Sequence, residues 1–233
     1  MKELKIRWIG QGGYLLDDGQ VKLCIDPYLS DVVNRVAGRP RMVAPPFAPE
    51  DLKCDAVICT HNHLDHVDID AIPHFCHNGM RFFAPTDAHK TLQECGVAEP
   101  IAFDEGCVWH VGDFEIEAVF AHHSVPAVGV LVRHADLTLY FSGDTEYHEK
   151  LEELATRHLD VMVICINGKL GNMDAERAVA LTKRIAPRLA IPTHYGMFES
   201  NTVDPCEFTD HLQNARALSY NEEYSVKELL KYV

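Results

Sequence analysis

The sequence predicts an α/β protein of four layers, with two β-sheets packed face to face and helices outside them. Two observations carry this: strand-type runs followed by helical runs occur twice along the chain, and no short fixed-period repeat replaces them. Length points the same way, because 233 residues fit one domain spanning 1–233. A chain of that size buries roughly 70% of its extended surface, which is a sizeable core without staples. Hydrophobic residues at 47% and charged residues at 24% are ordinary globular usage, which excludes a disordered, collagenous or coiled-coil chain.

The elements follow in order. Residues 4–9, 13–16 and 21–25 are short apolar or alternating runs. Gly10-Gln11-Gly12-Gly13 and Asp17-Asp18-Gly19 separate them, so they read as a strand meander ending at Asp26-Pro27. Residues 39–49 are proline-rich and read as loop. Residues 56–60 read as a buried strand that delivers a polar cluster at its end. Then come a short helix at 70–77, a strand at 81–84 and a helix at 87–95, followed by strands at 114–121, 128–133 and 137–141. The second half is richer in helix. Residues 146–157 are charged and helix-prone, and 161–166 read as a buried strand. Residues 174–185 place Ala178, Leu181 and Ile185 at helical spacing behind Asp174 as N-cap. A strand at 189–192 and helices at 207–218 and 226–232 complete the chain.

Charge narrows the function. There are 21 basic against 35 acidic side chains, a net −14. That repels a phosphate backbone, so a broad nucleic-acid surface is not expected, although a local pocket for one anion is compatible. Cys24, Cys54, Cys59, Cys76, Cys95, Cys107, Cys165 and Cys206 form no CxxC pair, and several lie in apolar runs. They read as reduced core cysteines of a cytoplasmic protein. The N-terminus shows no long apolar segment of the signal-peptide type, and no apolar stretch reaches about 18 residues.

The strongest signal is Thr60-His61-Asn62-His63-Leu64-Asp65-His66, just after a buried strand. Imidazole nitrogen and carboxylate oxygen are the donors that Zn²⁺ and similar divalent ions take. A strand-end loop can turn His61 and His63 toward one ion, and Asp65 and His66 toward a second. Two ions need more ligands, usually with a bridging carboxylate. Three later places supply them, each at a predicted strand end: Ala121-His122-His123-Ser124, Ser142-Gly143-Asp144-Thr145 and Pro192-Thr193-His194-Tyr195. Strand ends gather on one rim of a sheet.

These ordered motifs, H-x-H-x-D-H, then His, then Asp, then His, resemble the metallo-β-lactamase superfamily and span most of the chain. The resemblance implies an αββα sandwich (the metallo-β-lactamase fold) with metals on one edge. It places His61, His63 and one of His122 or His123 on a first metal, and Asp65, His66 and His194 on a second. Asp144 bridges the two. The family's A-x-H-S segment favours His123. Strand alternation from Ile116, Ala118 and Phe120 would favour His122, and the other histidine would then support the ligand from behind. The runs Ile166-Asn167-Gly168-Lys169-Leu170-Gly171-Asn172-Met173 and Pro192-Thr193-His194-Tyr195-Gly196-Met197-Phe198 are further similar to the L-ascorbate-6-phosphate lactonase-like branch, as are Asp26-Pro27-Tyr28-Leu29-Ser30 and Pro45-Pro46-Phe47.

The resemblance implies a hydrolase with two divalent ions, Zn²⁺ or Mn²⁺, that opens a lactone or ester of a small, phosphorylated sugar-derived substrate by attack of a metal-bound hydroxide. Asp65 would orient the water or accept its proton. Asn167 and Lys169 are candidate substrate contacts, and Lys169, Arg39 and Arg41 are candidate phosphate partners. A phosphodiesterase or nuclease of the same superfamily is the rival reading, and the net charge weighs against it. A ligand-sensing module that keeps the fold is a third, and the full ligand set weighs against that. An apolar face within residues 40–49 leaves room for a homo-oligomer.

Overall fold

The computed structural model describes residues 3–76 and 79–231. The first half supplies β1 (Lys5–Gly10), β2 (Gly13–Asp17), β3 (Lys22–Ile25), β4 (Ala56–Ile58), β5 (Arg81–Ala84) and β6 (Ile101–Ala102). The second supplies β7 (Val108–Val111), β8 (Phe114–Phe120), β9 (Val128–His134), β10 (Leu137–Phe141), β11 (Val161–Cys165) and β12 (Leu189–Thr193). A last strand, β13 (Glu223–Ser225), returns to the first sheet beside β1. The helices are α1 (Val32–Ala37), α2 (Ile72–Phe75), α3 (His89–Glu94), α4 (Ala175–Ile185), α5 (Cys206–Thr209) and α6 (Val226–Leu229).

Each sheet begins antiparallel and ends parallel. The first runs β13-β1-β2-β3-β4-β5-β6, and its parallel part is β3 to β6. The second runs β12-β11-β10-β9-β8-β7, and its parallel part is β10 to β12. This repeated plan is the physical form of the duplication in the sequence. Helices flank the two mixed sheets, which is the four-layer arrangement expected.

Period-two alternation sets the layers. In β4, Ala56 and Ile58 face the core between the sheets, with Phe83, Ile116, Val130, Leu139 and Val163. Val57 faces the other way, into a cluster with Phe82, Ile72, Phe75 and Leu92 under the helices. Both faces of β4 are covered, so it reads as an unbroken apolar run. On the second sheet, α4 buries Ala178, Leu181 and Ile185, and the Asp174 side chain accepts from the Arg177 N–H at 2.8 Å as its N-cap.

Several expectations need correction. Residues 207–218 are not one helix, because α5 stops at Thr209. Beyond it, the Ala190 N–H donates to Asn214 O at 2.8 Å and the Arg216 N–H to Ala190 O at 2.9 Å. That segment bridges β12 in extended form, so pairing at the sheet edge overrides local helix preference. Residues 149–157 wind as a 3-10 helix, whose three-residue turn brings the buried Leu151 and Leu154 into line. Strands β6, β7 and β13 and helix α1 carry little apolar period of their own, and sequence reading passed over them. The expected ends of two helices at His77 and Tyr232 lie outside the described residues; within them α2 covers Ile72–Phe75 and α6 covers Val226–Leu229. Cys24, Cys54, Cys59, Cys95 and Cys165 are buried and free, but Cys206 is exposed on α5 rather than in the core. Among the described residues, no helix is long and apolar enough to cross a membrane.

Candidate metal centre

The strand ends meet on one rim, as the topology requires. The segment after β4 carries His61, His63, Asp65 and His66. His123 follows β8, Asp144 follows β10 and His194 follows β12. Their ligand atoms fall into two groups. His61, His63, His123 and Asp144 form one; Asp65, His66 and His194 form the other. In the first, His63 Nδ1 lies 2.9 Å from His61 Nε2 and 3.2 Å from His123 Nε2. Asp144 spans both groups. Its Oδ2 is 4.0 Å from His61 Nε2 and from His123 Nε2, while its Oδ1 is 3.3 Å from His66 Nε2 and 3.0 Å from His194 Nε2. Asp65 Oδ2 stands 3.5 Å from His194 Nε2 and 3.8 Å from His66 Nε2.

Outer contacts aim the rings. Asp26 accepts from the Thr60 N–H and from Thr60 Oγ1, both at 2.7 Å, and lies 2.7 Å from His66 Nδ1. With its proton on Asp26, Thr60 Oγ1 accepts from His61 Nδ1 at 3.1 Å. Gly171 O accepts from His123 Nδ1 at 3.0 Å. At His61, His66 and His123 the outer nitrogen therefore has an oxygen partner and Nε2 turns inward, whereas His63 turns its Nδ1 toward the other two rings. Asp68 anchors the flanking loop, accepting from Leu29 N, Ser30 N and Ala71 N.

The electrostatics divide the groups. Burial holds His61 well below the usual imidazole range and lowers His63 too, and the neighbouring imidazoles add to it. These rings are neutral and present lone pairs. In the other group, burial alone would lower His66 and His194, but Asp144 and further carboxylates outweigh it. They raise His66 well above the usual range, and His194 to about 9. Reciprocally, burial would raise Asp65 and Asp144, and the charges of His66 and His194 pull both down.

The residues fit a pair of cations. His66 Nε2 and Asp144 Oδ1 are buried without a hydrogen-bond partner, facing one another across 3.3 Å. Three imidazole nitrogens converge in the other group. Both are arrangements that a divalent ion satisfies.

The structure separates the two adjacent histidines. His123 is in the cluster. His122 is exposed, gives its N–H to Thr145 Oγ1 at 2.9 Å, and sets its ring against His148. Alternation from Ile116 and Ala118 misleads because it breaks at the buried Val119, before β8 ends at Phe120. Asn167 and Lys169 do not line the cleft over the centre. Asn167 Nδ2 donates to Asn201 Oδ1 at 2.7 Å, and Lys169 Nζ to Ser200 O at 3.0 Å. Arg41 is also committed, donating to Tyr28 O, Ser30 O and Val43 O. Arg39 does line the cleft, with Val33, Leu64, Leu170, Phe198 and Asn201 above His63, Asp65, Asp144 and His194; its volume is ≈ 490 Å³.

Sequence reading missed Asp26 and Gln11. Asp26 had a signal, an acid at the end of β3 before proline. Gln11 had only its place among glycines; its Nε2 donates to Asp65 Oδ2 at 2.8 Å.

Comparison with known proteins places this geometry. Residues 22–195 match the family model described as a beta-lactamase superfamily domain. A UPF0173 metal-dependent hydrolase of Thermoplasma acidophilum is 30% identical over 216 residues, covering 89% of this chain and 90% of the relative. The solved isothiocyanate hydrolase from Delia radicum gut bacteria superposes with a TM-score of 0.80 at 21% identity, over 95% of this chain and 98% of that one. A metallo-beta-lactamase fold protein from Bacillus subtilis superposes with a TM-score of 0.73 at 19% identity, over 96% and 99%. At those identities the two structures show the fold alone.

Proposed function

Because the chain belongs to the beta-lactamase superfamily, within the UPF0173 metal-dependent hydrolases, we propose that it opens the carbonyl of a small ester or lactone at two divalent cations. The observation that carries this is the division of Asp144: one carboxylate oxygen faces each group of donors. His61, His63 and His123 would hold one cation, and Asp65, His66 and His194 the other, with Asp144 shared. Bound there, the cations would supply Lewis acidity that acidifies a water and polarises a carbonyl. The chain's own groups do the rest. Asp26, Thr60 and Gly171 fix the imidazole tautomers. Asp65 lines the cleft, where its free carboxylate edge orients a reacting water.

The cleft walls support the substrate reading. Val33, Leu64, Leu170 and Phe198 suit an apolar body of a few carbons. Arg39 is the cation on the lining, and it makes no ion pair with a described residue, so it suits one carboxylate or phosphate. Asn201 also lines the cleft and carries amide donors on Nδ2, its Oδ1 being taken by Asn167. A lactone such as L-ascorbate 6-phosphate meets the charge requirement. The apolar walls also suit an uncharged electrophile such as an isothiocyanate, the substrate class named for the structural neighbour.

The test is hydrolysis of L-ascorbate 6-phosphate, simple lactones, 4-nitrophenyl esters and benzyl isothiocyanate, with added Mn²⁺ or Zn²⁺ and an EDTA control. Metal-dependent opening of a lactone or ester is the expected result. Turnover of the isothiocyanate alone would move the reaction to that class. Two bound cations with no ester or lactone turned over would overturn the proposal.

A further inference from the structure

The turn between β1 and β2 holds Gln11 in a costly conformation. Gln11 is fully buried, yet its φ is 51°. Left-handed backbone at a residue other than glycine costs on the order of 1–3 kcal/mol and persists only where surroundings impose it. Here three donors pin its carbonyl: Trp8 Nε1 at 3.0 Å, Thr193 Oγ1 at 2.8 Å and the His194 N–H at 3.2 Å. His194 is left-handed too, at φ 64°. The two residues thus hold each other in place, and the result is a carboxamide aimed into the Asp65 and His194 half of the centre. Gln11 Nε2 donates to Asp65 Oδ2 at 2.8 Å and lies 3.0 Å from His194 Nε2. Gln11 Oε1 is buried with no partner.

These spacings are those of donor atoms around one ion. Two donors bound at right angles about 2.1 Å from a cation stand about 3 Å apart. Gln11 to Asp65, Gln11 to His194 and His194 to Asp144 are 2.8, 3.0 and 3.0 Å. A half-turn of the last side-chain torsion exchanges the amide's nitrogen and oxygen.

We infer that Gln11 is the fifth donor of the Asp65, His66 and His194 half. Its Nε2 donates to Asp65. When a cation binds, the amide turns its orphaned Oε1 to the ion. This rests on the ligand assignment proposed above. The two halves then differ in kind. One offers three nitrogens and a carboxylate oxygen, a four-donor set that suits Zn²⁺. The other offers two nitrogens and three oxygens, a five-donor set that suits a harder ion such as Mn²⁺. The chain therefore favours a mixed pair of cations.

The experiment loads metal-free protein with one equivalent of Zn²⁺ and titrates it with Mn²⁺, reading free Mn²⁺ by electron paramagnetic resonance. Wild type should take up one Mn²⁺ per chain. Gln11→Leu should weaken Mn²⁺ binding about tenfold, roughly 1.4 kcal/mol, and leave the Zn²⁺ equivalent unchanged. Gln11→Glu should tighten Mn²⁺ binding, and it keeps the inference testable if the leucine variant does not fold. The side-chain amide resonances of Gln11 should also shift with the second equivalent of Zn²⁺ and not with the first. Unaltered Mn²⁺ affinity in Gln11→Leu, or amide resonances that stay in place, would overturn the inference while leaving the ligand assignment intact. A wild-type protein that binds no divalent ion would overturn the assignment itself.

Discussion

The two halves of the centre lie side by side on one rim but are built by opposite means. The His61, His63 and His123 half is made of imidazoles: burial lowers His61 and His63, and oxygens behind His61 and His123 aim their rings. The Asp65, His66 and His194 half is made of charge. Its carboxylates hold protons on the two imidazoles, and Asp26 and Gln11 brace it from outside. A cation entering the second half would have to displace the protons on His66 and His194, a demand that the lowered His61 and His63 do not make. The difference teaches that a symmetric list of ligands can hide an asymmetric site. The neighbours of the ligands, rather than the ligands alone, decide what each half takes up.

Substitutions can break or sharpen this contrast. The largest effect is expected for Asp144→Ala, which removes the one group common to both halves. Bound metal should fall below two ions per chain, and metal-dependent turnover by ~10³-fold or more, since several kcal/mol of charge stabilisation are lost. Metal analysis with steady-state kinetics checks this; full activity would remove Asp144 from the site. Next is Gly171→Ala, aimed at the first half only. Gly171 has φ 88°, and an added Cβ would stand 2.8 Å from His123 Nδ1. The ring must shift, so the equivalent held by His61, His63 and His123 should weaken ~10–100-fold while the other keeps its affinity. Equal weakening of both, in a competition titration against a chelator, would contradict the separation of the halves.

Asp26→Asn acts on the second half in the same way, through His66 and Thr60. It should weaken that equivalent ~10-fold or more, as followed by calorimetric titration. Thr60 also touches His61, so a smaller change in the first half is expected. His122→Ala should change metal content and turnover by less than about twofold, against a loss of metal in His123→Ala. Comparable losses in both would return His122 to the ligand set.

The smallest effect lies away from the rim. Burial alone would raise Glu117, but Arg157 and Arg133 hold its carboxyl below the ordinary range. A depressed folded-state pKa stabilises above the unfolded value of about 4.3 and is lost as pH falls through the folded one. Glu117→Gln should therefore cost up to about 1 kcal/mol at neutral pH, discounted for solvent screening, and nothing in strong acid. Denaturant melts at both pH values test this, and metal stoichiometry should not change.

How far the site could be read in advance depends on the range of the contacts. Residues 61–66 declare themselves because donor chemistry and short spacing are local properties. Asp144 and His194 follow because each is a polar residue where an apolar strand ends. His123 against His122 was open, since period two holds only while the strand lasts and β8 stops at Phe120. Lys169 and Arg41 looked free because sequence shows a cation without the carbonyls it meets.

The layered α/β plan, the strand ends that carry chemistry and the donor types at the centre follow from residue order alone. Periodicity and residue type belong to short stretches of chain and survive without knowledge of the rest. It takes the folded chain to bring Gln11 to His194, 183 residues away, and Asp26 behind His66. The same holds for the division of the two Asp144 oxygens between the groups. Those contacts depend on how two sheets pack and on left-handed backbone at Gln11, Asp26 and His194. Such backbone costs energy locally and is imposed from across the fold, so no local signal announces it.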